Sequence, residues 1–154
     1  MRPGFFVGLV LGLLLSPAAH AGQITIAAAS DLKLAMDEIA ASFRKAHPGA
    51  AVEVVYGSSG NFHAQIQQGA PFDLFFSADI AYPRELAQRG LAGSEVKPYA
   101  IGRIVLWSAS LDATQLTLTS LADPKITRIA IANPKHAPYG KRAEEALRAA
   151  GVWE

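Results

Sequence analysis

Three times along this chain a strand-like run empties through a turn of Ser or Gly into a helical pattern. The first is Ile24-Thr25-Ile26-Ala27-Ala28-Ala29, followed by Ser30 and then apolar positions at Leu32, Met36, Ile39, Ala40 and Phe43. That spacing predicts one face of a helix, with Ser30 placed as its N-cap. The second is the β-branched run Val52 to Tyr56, then Gly57-Ser58-Ser59-Gly60-Asn61, then a helix with Phe62 and Ile66 on its inner face, closed by Gln68-Gly69. The third is Ile129-Ala130-Ile131-Ala132, then Asn133 to Gly140, then a helix from Lys141 to Ala150 stopped by Gly151. Strands alternating with helices specify an α/β fold with parallel strands. They also deliver helix N-termini, with their unpaired N–H groups and partial positive charge, to the carboxyl edge of the sheet. Ligands of open α/β sheets bind at that edge.

The segments between these junctions read less regularly. Phe72 to Ser77 predicts a third strand, apolar enough to be buried on both faces, in which Asp73 pairs with a neighbouring backbone or caps a turn. Ser77-Ala78-Asp79 opens a helix that holds Pro83 in its first turn and ends at Gly90. Val96 to Tyr99 and Ile104 to Trp107 are extended runs with no helix between them, a change of connection that marks a crossing between lobes near Gly102-Arg103. Leu116 to Leu118 leans towards strand, and Thr119 to Pro124 reads as a capped single turn.

Met1 to Ala21 has the form of a cleaved export signal: a basic Arg2, the uncharged apolar run Phe5 to Leu15, Pro17, and the small-x-small ending Ala19-His20-Ala21. The expected organisation is therefore residues 1–21 as signal peptide, 22–103 as the first α/β lobe and 104–154 as the N-terminal part of a second lobe left incomplete. The chain carries 14 Lys and Arg against 13 Asp and Glu, and loss of Arg2 makes the two equal. Such a balance excludes the basic footprint of a nucleic-acid binder. With no cysteine there is neither a disulfide framework nor a thiol for a lipid anchor. These features predict a soluble protein of an extracytoplasmic space, most simply the bacterial periplasm, and a monomer is expected.

No enzyme motif is present. There is no Gly-x-Ser-x-Gly elbow, phosphate-binding loop or dinucleotide fingerprint, and His47, His63 and His136 lack metal-ligand spacing and read as surface residues. Tyr56 and Tyr82 read as packing or rim residues. What remains is a set of neutral donors: Ser30, Ser58 or Ser59, and the amides of Tyr139 and Gly140. Two or three helix N-termini supply roughly one to one and a half positive charges in partial form. A shell that only donates suits a fully ionised tetraoxyanion, which only accepts.

Taken together, Ile-Thr-Ile-Ala-Ala-Ala-Ser30, Gly57-Ser-Ser, Gly69-Ala-Pro-Phe-Asp-Leu-Phe-Phe-Ser-Ala-Asp79 and Asn133-Pro-Lys-His-Ala-Pro-Tyr-Gly140 resemble the molybdate-binding periplasmic proteins of ABC transporters. The resemblance covers residues 24 to 154. It implies a two-lobed type II periplasmic-binding-protein fold and capture of molybdate or tungstate for a membrane permease. It further implies that the oxyanion is held by Ser30 and Ser59 and by the main-chain N–H of Tyr139, with Ser58 and Gly140 in support. No cofactor and no direct protein ligand to a metal ion is implied, molybdenum entering only as the oxyanion. Members of the family continue past the position of Glu154 to complete the second lobe. Two alternatives stand beside this reading: a receptor for sulfate or another oxyanion, and a short product that no longer binds.

Overall fold

The computed structural model describes residues 22–153, so the export signal lies outside the described residues. Strand β1 (Gln23–Ala29) is central in a three-stranded sheet, with β2 (Ala51–Gly57) on one side and β3 (Leu74–Phe76) on the other, all parallel. Helices α1 (Lys33–Ala46), α2 (Ser59–Gln67), α3 (Ala81–Gln88) and α4 (Pro138–Ala149) complete the regular structure, together with short 3-10 turns at Ser30–Leu32, Ala113–Gln115 and Leu118–Ala122.

The sheet register explains the packing. Ile24, Ile26 and Ala28 pair with Val52, Val54 and Tyr56, and residues two apart share a face. That face packs against Leu32 and Met36 to form the core. The opposite face carries Phe75, whose ring meets Phe62 of α2 edge-on, with centroids 6.4 Å apart. Ala27, Ala28 and Ala29 are 0–2% exposed. Gly57, level with Ala29, leaves room for the Phe62 ring, whose Cζ would lie 2.9 Å from a Cβ at that position. Helix α1 presents Met36 and Ala40 inward, but Ile39 is 61% exposed, because a sheet this narrow covers only a thin stripe of the helix.

Several sequence-based expectations change. The third strand is shorter than Phe72 to Ser77 and is not buried on both faces, since Leu74 is 47% exposed on an edge strand. Asp73 resolves in favour of backbone pairing: its Oδ2 accepts the Thr25 N–H at 2.7 Å and its own N–H donates to the Thr25 carbonyl at 2.9 Å. The runs Val96 to Tyr99, Ile104 to Trp107, Leu116 to Leu118 and Ile129 to Ala132 enter no ladder among the described residues, and Ile129 is half-exposed. A strand is defined by ladder hydrogen bonds to a neighbour, and among the described residues these runs make none, although Ile104 to Trp107 and Ile129 to Ile131 line one cavity. The single turn begins one residue earlier than expected, and Thr117 and Ser120, not Thr119, form its capping box. Helix α4 starts at Pro138 instead of Lys141, with proline in the first turn, where its missing N–H costs nothing.

Candidate functional site

The carboxyl ends of the three strands lie side by side. Ala29 pairs with Gly57 and Ala28 with Phe76, so the turns at Ser30, Ser58 and Ser77 leave the same edge of the sheet. The chain turns to one side of β1 through α1 and to the other through α2, which makes this edge a topological switch point. A cavity of about 480 Å³ lies mainly along β3, α3 and residues 91–100 and reaches this edge at Asp31, Ser77, Ala78 and Tyr139.

Each expected contact residue has a definite place. Ser30 opens the 3-10 turn that runs into α1; it is exposed, and no side-chain bond caps the turn, whose N-cap position is Ala29. Ser58 is the N-cap of α2 in extended conformation, and its hydroxyl lies 3.0 Å from His136 Nδ1. Ser59 is the first residue of α2 and is fully buried. Its Oγ accepts the Ala78 N–H at 2.9 Å, which ties α2 to the end of β3. A hydroxyl that accepts through oxygen keeps its hydrogen to donate, and that hydrogen has no acceptor among the described residues.

Tyr139 and Gly140 occupy the first turn of α4, where amides have no partner within the helix. Gly140 is there because nothing larger fits: a Cβ would stand 2.2 Å from the Ala132 carbonyl oxygen. The Tyr139 ring lies against Gly102, where a Cβ would meet its hydroxyl oxygen at 2.4 Å. Burial, then the Asp31 charge and a hydrogen bond to that carboxylate, raise the Tyr139 hydroxyl above its ordinary pKa. Burial first, with Asp31 and Tyr139 nearby, pushes Tyr99 up to about 12, and the Tyr99 hydroxyl donates to the Ser77 carbonyl at 2.7 Å. Of the five expected residues, Tyr139 alone is in the cavity wall; Ser30 and Ser59 adjoin it through Asp31 and through Ala78.

The structure also brings in residues that sequence reasoning passed over. His136, read as a surface residue, is half-buried against α2. Its signal was position, since it lies within the third junction three residues before Tyr139. His63 is likewise not a surface residue: its side chain is 12% exposed, with Nε2 3.2 Å from Glu85 and its ring 5.0 Å from that of Tyr82. Asp31 and Tyr99 carried no motif of their own, and Gly102 was read only as part of the crossing between lobes. Among the described residues no cluster of His, Asp and Glu is arranged to hold a metal ion, and no helix is long and apolar enough to cross a membrane.

Comparison with known proteins places these features. Residues 24–154 match the family described as bacterial extracellular solute-binding protein. The chain is 41% identical over 150 residues to the molybdate-binding protein ModA of Rhodobacter capsulatus, an alignment covering 96% of this chain and 58% of that protein. It is 38% identical over 143 residues to ModA of Azotobacter vinelandii, covering 92% of this chain and 56% of the relative. Among solved structures, the Azotobacter vinelandii periplasmic molybdate-binding protein superposes with a TM-score of 0.74 at 38% identity over 84% of this chain and 56% of the other. The chain thus spans somewhat more than half the length of the relatives it matches.

Proposed function

This chain belongs to the bacterial extracellular solute-binding proteins, and from that premise we propose that it captures molybdate, or the closely similar tungstate, in an extracytoplasmic space and presents it to an ABC transporter permease. The observation that carries the choice of ligand is its similarity, along nearly the whole described chain, to proteins that bind molybdate. The chemistry of the sheet edge supports it. Ser59 offers a hydroxyl hydrogen from a buried position, and the first turn of α4 offers the Tyr139 and Gly140 amides. Ser30 adds an exposed hydroxyl, and Ser58 a second one at the α2 terminus. None of these groups needs to lose a proton or bear a full charge, so the dianion meets donors without a buried Lys or Arg.

In this reading residues 22–103 form the first lobe of a two-lobed type II binding protein, and 104–154 belong to the second. The oxyanion sits between them, and the protein acts by binding and delivery, without catalysis or a resident cofactor. Residues 1–21 direct export to the periplasm and are removed, and the receptor works as a monomer.

Thermal unfolding of the purified chain with molybdate, tungstate, sulfate and phosphate at matched ionic strength tests this. A ligand that binds only the native state raises its stability by mass action, about 2.7 kcal/mol at a hundredfold excess over Kd. Molybdate and tungstate are expected to raise Tm, and sulfate to do so much less, because fixed donors set for the larger ion hold the smaller one at overlong distance. A larger shift with sulfate would transfer the assignment to a sulfate receptor, and no shift with any of the four would remove the oxyanion reading.

A further inference from the structure

One residue joins the third junction to the second at two points. The His136 carbonyl accepts the Gly60 N–H at 3.0 Å, and His136 Nδ1 lies 3.0 Å from the Ser58 hydroxyl. The two residues are 78 positions apart in sequence, so this contact is made by tertiary folding alone. Gly60 permits it, because a Cβ there would stand 2.8 Å from the His136 carbonyl oxygen and 3.1 Å from the Tyr82 hydroxyl.

The backbone bond takes one donor from the start of α2. The Gly60 amide, free by its place in the first turn, is used by His136, while the Ser58 hydroxyl shares with its ring a hydrogen bond in which either atom can donate. The Ser59 hydroxyl hydrogen is left for another acceptor. On the other side of the contact, α4 begins two residues after His136, and Tyr139 is its second residue. Three residues of chain cannot span more than about 10 Å even when extended, so fixing His136 on α2 confines the Tyr139 amide to the neighbourhood of Ser59.

We propose that His136 is a positioning residue for anion capture: a clasp that holds the Tyr139 amide and the Ser59 hydroxyl on one ligand while withdrawing the Gly60 amide from it. This inference rests on the oxyanion reading above. Its consequence is kinetic. An anion held from both junctions leaves only when they part, so the clasp slows release and leaves association nearly unchanged.

The test has one arm without ligand and one with it. In the absence of any anion, amide hydrogen exchange at Gly60 is expected to be slow in the wild-type chain and faster in His136→Ala, whose carbonyl has lost the ring that anchors it. Stopped-flow displacement of molybdate is then expected to show release about 2- to 13-fold faster in His136→Ala, the range of one hydrogen bond. His136→Asn, which keeps a polar atom near the position of Nδ1, should recover most of the loss. Gly60→Ala, which forces the carbonyl away without altering the histidine, should match His136→Ala, and the double variant should release no faster than either. A His136→Ala chain that melts lower but releases molybdate at the wild-type rate would reduce the contact to packing and overturn the proposal, as would a Gly60 amide that exchanges like an exposed loop in the wild type. Wild-type chain that binds no molybdate would sink the oxyanion reading and with it the kinetic role. Gly60 exchange would then decide whether the clasp itself exists.

Discussion

Ser59→Ala separates the two tasks assigned to a single buried hydroxyl. The oxygen accepts the Ala78 N–H at 2.9 Å, and the hydrogen is the group that the proposed function offers to the anion. Removing the hydroxyl leaves the Ala78 amide without its partner. Ala78 is half-buried, and water can reach part of it, so the cost to the ligand-free fold falls at the low end of the range for an orphaned donor, about 1 kcal/mol. For a chain of this size that is a drop of roughly 2–6 °C in Tm. The bond to the dianion that the proposed function assigns to this hydroxyl is charge-assisted, and its loss is expected to cost about 1.5–3 kcal/mol, or about 10- to 150-fold in Kd. Thermal unfolding without anion measures the first effect, and titration calorimetry with molybdate measures the second. Ser58→Ala is the control: its hydroxyl is engaged by His136, so it should weaken binding less than Ser59→Ala does. Binding by Ser59→Ala at wild-type affinity, with stability lowered as expected, would confine Ser59 to joining α2 and β3 and would refute its role as a ligand contact.

Two further outcomes follow from the same contacts. Gly140→Ala places a Cβ 2.2 Å from the Ala132 carbonyl, backbone that cannot swing aside, so the first turn of α4 must shift; molybdate-induced stabilisation should be largely lost, as measured by thermal unfolding with and without the anion, while the far-UV circular dichroism of the sheet and α1 stays. Tyr99 titrates at about 12 in the folded chain against an ordinary value near 10, so its contribution is fully present below pH ~10 and is lost as pH rises towards 12. Denaturant unfolding from pH 8 to 12 should therefore show a smaller alkaline loss of stability in Tyr99→Phe, which should also be less stable at pH 8 for want of the bond to the Ser77 carbonyl.

What the sequence determined by itself was local. The strand at Ile24–Ala29, the glycine stops at Gly90 and Gly151, both with positive φ, and the Ser-Gly turn at 57–60 follow from side-chain period and backbone freedom within a few residues. So does the supply of neutral hydrogen-bond donors at the serines, since a hydroxyl proton depends on residue type. Asp73 was narrowed to two local readings, and only the proximity of Thr25 chose between them. The third junction shows the limit. Ile129-Ala130-Ile131-Ala132 has the composition of a buried strand, yet it forms no ladder, because strand identity lies in hydrogen bonds to a neighbour and no stretch of residues carries its neighbour with it. Helix α4 could start at Pro138 because that proline lacks an N–H to lose, and this single shift puts Tyr139 and Gly140 inside the helix instead of before it. The clasp of His136 on Ser58 and Gly60 was beyond any local pattern. A histidine in a polar turn reads as exposed until the fold brings another backbone to it, and only the close approach allowed by Gly60 set it against α2.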